Sequence, residues 1–339
     1  MSTTLAPALP AGEGSLQPVL APYAQPDSRR SVLQIATSFL PFTLLWYLMY
    51  RSLELSYWIT LALAVPAAGF LVRIFIIQHD CGHASFFQSI RLANAVGRVC
   101  GVLTLTPYRY WARFHAIHHA TSSKLHDRPD VDFPTLTVRE YLARSRWGKL
   151  RYRIWRNPLV LFGLGAPIHF LVRLRLPWIA PRSWKRERRS ILGTNLALAG
   201  LYGGLALLLG WRAVLLVELP IMLVASWVGL WLFYVQHQFE DTYWEGPEGW
   251  SFVEAGLAGS SYYRLPPLLQ WFTGSVGLHH IHHLATRIPN YRLQQCLVEN
   301  PVLQQVPALT FWKSLRCASL KLWDEDRRRL VRFRDIPVS

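Results

Sequence analysis

The chain has 339 residues, 51% of them hydrophobic, and a formal net charge of +16. Long apolar runs unbroken by polar faces exclude an ordinary soluble globular core and indicate an integral membrane protein. The positive charge, which in a soluble chain would suggest nucleic acid, fits basic loops lying against an anionic membrane surface, so no nucleic-acid partner is expected.

Residues 1–30 are rich in Ala, Pro, Gly and Ser and lack a basic stretch followed by an apolar core. They predict a disordered tail rather than a signal peptide. The first apolar run, about 32–50, turns at Arg51 and Glu54 into a second, about 57–77. Each is near the ~20 residues needed to span a bilayer. The second run leads directly into His79-Asp80-Cys81-Gly82-His83. Residues 92–107 are apolar but short and interrupted by Gly97, Arg98 and Gly101, which predicts a core or interfacial segment. Next comes His115-Ala116-Ile117-His118-His119, followed by a stretch dense in Lys and Arg up to residue 156. Residues 158–172 hold Gly163, Gly165 and Pro167, too short and broken for a span, and predict a re-entrant or interfacial segment. Two further spans are predicted at about 191–209 and 213–236, joined around Gly210 and Arg212 and followed by His237. The last cluster is His279-His280-Ile281-His282-His283. Residues 311–339 alternate apolar residues with Lys313, Arg316, Lys321, Arg327, Arg328, Arg329, Arg332 and Arg334, predicting a basic amphipathic helix on the membrane surface.

Residues three and four apart share a helix face. His79 and His83 therefore point together, as do His115, His118 and His119, and His279, His282 and His283. Neutral imidazole is a common metal ligand, and one tetrahedral ion needs at most four. Eight such histidines suffice for two metals. If the clusters share a site they face one side of the membrane, which holds for four spans only if 158–172 does not cross. Loop charge agrees: Arg51 and Arg212 mark one side, and most other basic residues fall on the histidine side. The four cysteines have no metal-site spacing and predict reduced thiols. Soluble di-iron architectures use Glu-x-x-His, which is absent here. Zinc hydrolysis is the competing metal chemistry, but Asp80 stands where its motif places the general base, and at least one cluster would have no role. Heme ligation would place the histidines within facing spans rather than beside them.

The three boxes resemble those of the membrane fatty acid desaturases, within a superfamily that includes hydroxylases and ketolases. The resemblance covers roughly residues 40–300. It extends to Tyr234-Val235-Gln236-His237-Gln238-Phe239-Glu240-Asp241, and to Gly277-Leu278 before the last box and Ile288-Pro289-Asn290-Tyr291 after it, as in bacterial acyl desaturases. It implies an all-α integral membrane protein with four transmembrane helices in two hairpins and a cytoplasmic histidine-rich di-iron cap. The desaturase domain would cover 31–310, with both termini cytoplasmic, in a bacterial inner membrane. Implied metal ligands are His79, His83, His115, His118, His119, His237, His279, His282 and His283. Asp80, His280, Glu240, Asp130 and Asp132 are expected to support them, with Asp241 a further carboxylate candidate. His126 and His169 read as structural or surface residues. Phe233 stands where some relatives place an Asn that holds a water ligand. Implied cofactors are two iron ions, alternating between Fe2+ and Fe3+, with O2 as co-substrate. The substrate would be a fatty acyl chain linked to lipid, carrier protein or CoA. The chain has no His-Pro-Gly-Gly heme motif and no iron–sulfur cysteine spacing, so a separate ferredoxin, or cytochrome b5 with its reductase, is the implied electron donor. Membrane lipids would surround the spans. The alternative reading is a hydroxylase or ketolase acting on alkane, carotenoid or sphingoid chains.

Overall fold

The computed structural model describes residues 16–126, 128 and 133–336. Four helices are long and apolar enough to cross a membrane: Ser28–Ser52, Tyr57–Gly82, Lys185–Leu209 and Trp211–His237. They form two hairpins, making this a multi-pass membrane protein. The Asp27 carboxylate caps the first span, accepting from the backbone N–H groups of Arg29 and Arg30. The first hairpin is tied at its turn by a 2.7 Å hydrogen bond between the Ser52 and Thr60 hydroxyls. The second turns at Gly210, whose φ of +83° suits a residue without Cβ. Val32, Leu33, Leu40, Leu196, Leu207 and Leu208 on the spans are exposed, as the lipid-facing surface requires.

Two spans run past their apolar segments. The second continues through His79 to Gly82, and the fourth continues to His237. Their ends, with helices Ile90–Leu103 and Tyr108–Thr121, carry a cap at one end of the bundle. The apolar segment after residue 158 is two irregular helical pieces, Leu159–Gly165 and Ile168–Val172. This stretch bends by 58° against helix Arg146–Trp155.

The structure departs from the expected elements in three places. The protein is mostly helical, but short strands stitch the cap. β1 (Leu136–Thr137) pairs in parallel with β4 (Leu322–Asp324), β4 pairs antiparallel with β5 (Arg329–Val331), and β2 (Tyr262–Arg264) pairs in parallel with β3 (Ala308–Thr310). The C-terminal stretch is not one surface helix. Among its described residues Phe311–Cys317 is α-helical, residues 322–331 fold back as the β4–β5 hairpin, and Phe333–Asp335 makes a single 3-10 turn. Leu322, Trp323, Leu330 and Val331 are buried, while Asp324 accepts from the N–H groups of Asp326 and Arg327 in the turn. Finally, part of the tail expected to be disordered is ordered. Leu16 and Leu20 are buried against Ile281, Ile288 and Leu293, with helical turns at Gln17–Leu20 and Ala21–Ala24. Residues 1–15 of that expectation lie outside the described residues. All four cysteines are free and buried.

Candidate metal centre

The histidines reach the cap on four separate elements. His79 and His83 close the second span. His115, His118 and His119 lie on Tyr108–Thr121, and His237 ends the fourth span. His279, His282 and His283 sit on the single helical stretch His279–Leu284. Together they make two sets. His79, His83, His115 and His282 form one, and His118, His237, His279 and His283 form the other, with the donor atoms of each set within 4.8 Å of one another. The Nε2 of His237 stands 3.1 Å from that of His118 and 3.0 Å from that of His279, which is 3.1 Å from that of His283. His119 lies between the sets. Its Nε2 is 3.0 Å from that of His115 and 3.1 Å from that of His282, and its ring centroid is 4.2 Å from that of His283.

The donor set suits metal ions. Two imidazole nitrogens bound at right angles to one ion at about 2.1 Å stand roughly 3 Å apart. The Nε2 atoms of His79 and His83 are buried without a hydrogen-bond partner, a costly state for a nitrogen with no ligand. Burial, reinforced by neighbouring imidazoles, holds His83, His115, His119, His279, His282 and His283 well below the usual histidine pKa. They are neutral, as metal ligation requires.

The sequence pattern of the fatty acid desaturase family matches residues 55–309, three quarters of the chain. The chain belongs to that family. It is 48% identical over 323 residues to the fatty acid desaturase of Bacillus subtilis (strain 168), covering 94% of this chain and 91% of the relative. It is 26% identical to the sn-1 oleoyl-lipid 12-desaturase of Synechocystis sp., over 66% of this chain and 63% of that protein. It is also 26% identical to the sn-1 acyl-lipid omega-3 desaturase (ferredoxin) of the same organism, over 66% of this chain and 62% of that one. It is thus an oxidoreductase.

In this desaturase a cavity of about 1300 Å³ adjoins the histidines. His79, His115, His118, His237 and His279 line it, and its apolar wall includes Leu71, Ile76, Phe114, Met222 and Leu230. His126 and His169 also line it, away from both sets. Phe233 belongs to the wall and packs on His118, with ring centroids 5.1 Å apart.

The supporting residues divide. Asp80 is buried and accepts from His79 Nδ1 at 2.9 Å. His280 turns away from the sets. Its Nε2 donates to the Leu303 carbonyl at 3.1 Å, and burial pushes its pKa down to about 4. The Glu240 carboxylate, 60% exposed, faces Arg329 at 3.5 Å rather than an imidazole. Asp241 is exposed. Asp130 and Asp132 lie outside the described residues. Two supports escaped the sequence reading. The Gly259 carbonyl accepts from His237 Nδ1 at 3.1 Å, and a backbone carbonyl leaves no residue-type signal. Asn290 holds the second oxygen of Asp80. Its signal was present in the Ile288–Tyr291 motif, but only as part of the family resemblance.

Proposed function

We propose that this desaturase uses two iron ions and O2 to introduce a carbon–carbon double bond into a fatty acyl chain. The observation that carries the reading is the pair of four-imidazole sets bordering one apolar cavity at the end of apolar spans. His79, His83, His115 and His282 would hold one ion, and His118, His237, His279 and His283 the other, with His119 between them. When bound, the iron pair supplies reduction of O2. With two external electrons and two protons, this removes two hydrogens from neighbouring methylenes and leaves an alkene and two waters.

The protein's own part is positioning. Asp80 and the Gly259 carbonyl each engage the Nδ1–H of an imidazole, which turns the Nε2 lone pairs of His79 and His237 inward. Trp111 stacks on His115 with ring centroids 4.6 Å apart, and Phe233 covers His118, so both imidazoles are shielded from water on those sides. The apolar wall suits an alkyl chain and offers it no hydrogen-bonding partner. The lipid-linked names of the Synechocystis relatives favour an acyl group carried on a membrane lipid over one on a carrier protein or CoA. One of those names includes ferredoxin, which supports an external carrier of that type, with cytochrome b5 and its reductase as the other class. Loop charge favours a histidine end facing the cytoplasm, with both termini, in a bacterial inner membrane.

The test is fatty acid profiling with double-bond localisation in a bacterial host expressing the protein with a ferredoxin system, beside a His282→Ala control. A new unsaturated chain absent from the control is expected, with about two irons per purified chain. A hydroxylated or keto product would move the protein to the sister chemistry, and an iron-loaded, donor-supplied enzyme without product would overturn the reading.

A further inference from the structure

A second recess lies apart from the histidine cavity. Helix Ile90–Leu103, helix Tyr108–Thr121 and the start of the third span pack together and leave an open groove of about 570 Å³. Four arginines line it: Arg98, Arg109, Arg186 and Arg189. None of their guanidinium groups has a carboxylate partner among the described residues. The one acid of that basic turn, Glu187, is already engaged by Arg113 at 3.1 Å. Four convergent cations without an anion repel one another, and an anionic ligand would relieve this. Beside the arginines the groove is lined by small or apolar residues, Val102, Gly193 and Ala197, with the hydroxyl-bearing Ser190 and Thr194, and a Cβ added at Gly193 would meet nothing within 4 Å. Arg189, Gly193 and Ala197 recur every four residues, so charge and small side chains lie on one face of the span. The charged end is at the histidine end of the third span, where lipid headgroups meet the acyl region.

We propose that this groove binds an anionic phospholipid, with its phosphate among Arg98, Arg109, Arg186 and Arg189 and an acyl chain against Gly193 and Ala197. The open channel of small side chains at Gly193 and Ala197 beside Val102 favours a lipid with an acyl chain over an acidic protein, which would engage the charges without needing it. The site shares no lining residue with the histidine cavity, and the proposal does not depend on the desaturase chemistry.

The full chain, purified in detergent, is equilibrated with vesicles of equal parts phosphatidylglycerol and phosphatidylcholine. Retained lipid is then read by native mass spectrometry. Phosphatidylglycerol is expected to be retained preferentially. Each arginine near an anionic surface changes affinity about fivefold, so Arg98→Gln with Arg189→Gln lowers that preference by roughly 20-fold, and the matching Lys variants restore most of it. Gly193→Leu keeps all four charges and enters open space, so it leaves the fold intact. It is expected to lose the lipid while still binding inorganic phosphate by calorimetry. Equal retention of the two lipids overturns the proposal, as does a preference unchanged in both the Gln and Leu variants. If Gly193→Leu retains the lipid and inorganic phosphate displaces it, the groove is a free-anion site. If an acidic ferredoxin but not phosphatidylglycerol protects Arg189 from arginine-directed modification, it is a protein-docking site. Either result rejects the lipid.

Discussion

Asp80 and Asn290 lie 210 residues apart in sequence and meet in the interior through three-way use of one carboxylate. One Asp80 oxygen accepts from His79, and the other accepts from the Asn290 backbone N–H at 2.7 Å and its side-chain amide at 2.8 Å. Gln34 of the first span in turn pairs with the Asn290 amide. One network therefore joins the first span, the second span's first box and the residues after the last box. Asn290→Leu removes one of the donors and leaves a buried carboxylate oxygen partly unsatisfied. The expected cost is about 1–3 kcal/mol of stability and roughly a 10- to 100-fold loss of metal affinity. Thermal melting and iron per chain measure the two separately. Iron content and activity equal to wild type would show that His79 needs no such support.

Gly277 admits no side chain, because a Cβ there would lie 2.3 Å from the Tyr263 carbonyl oxygen. The Tyr263 N–H donates to the Gly277 carbonyl, so the close approach is part of the strand contact that sets down the last box. Gly277→Ala forces β2 and residues 278–283 apart. We expect iron binding to fall by more than melting temperature, since the displacement falls next to His279. Atomic absorption on the purified variant provides the check.

Gly229 lines the cavity from the fourth span, and a Cβ there would only just reach Phe170, at 3.9 Å. Gly229→Phe fills apolar space without touching either histidine set. Iron content is expected to stay at the wild-type level, while the acyl profile shifts to shorter chains or loses the product of the longest ones. Gas chromatography of the host lipids reads this. An unchanged profile would mean that the acyl chain takes another path.

Lys321 is 6% exposed and donates to the Arg156 and Ala318 carbonyls. Burial, with Arg156 adding to it, lowers its pKa to about 7. Above about pH 10.4, the ordinary lysine value, both folded and unfolded forms are neutral and Lys321 adds no pH dependence. As pH falls from there to 7, the unfolded chain takes up a proton that the folded lysine does not, so stability decreases across that window and levels off below it. Lys321→Met should flatten the melting temperature between pH 7 and 10 relative to wild type. A pH profile parallel to wild type would show that other groups govern that range.

The sequence by itself determined the four spans, their hairpin pairing and the histidine boxes. Apolar length and i, i+3, i+4 spacing are local properties, and the bilayer and the helix repeat convert them directly into structure. The second span's continuation to Gly82 follows the same logic, because nothing in Ile77–Gly82 breaks a helix. Tertiary structure decided how the boxes divide. His118 and His119 are adjacent in sequence, yet His118 joins His237, His279 and His283 while His119 sits between the two sets, because successive residues point about 100° apart on a helix. Spacing could not show which facing element each would meet. It also decided that Asp80, but not Glu240, reaches an imidazole: the first is carried inward on a buried helix end, and the second lies at an exposed turn against Arg329. The C-terminal segment shows the same limit. Its charges matched a surface helix, but Leu322 and Val331 gain more by burial beside Leu136 and Tyr141, and Trp323 and Leu330 beside Leu125 and Trp244, all of which lie far away in the chain. Long-range partners of this kind leave no trace in local pattern.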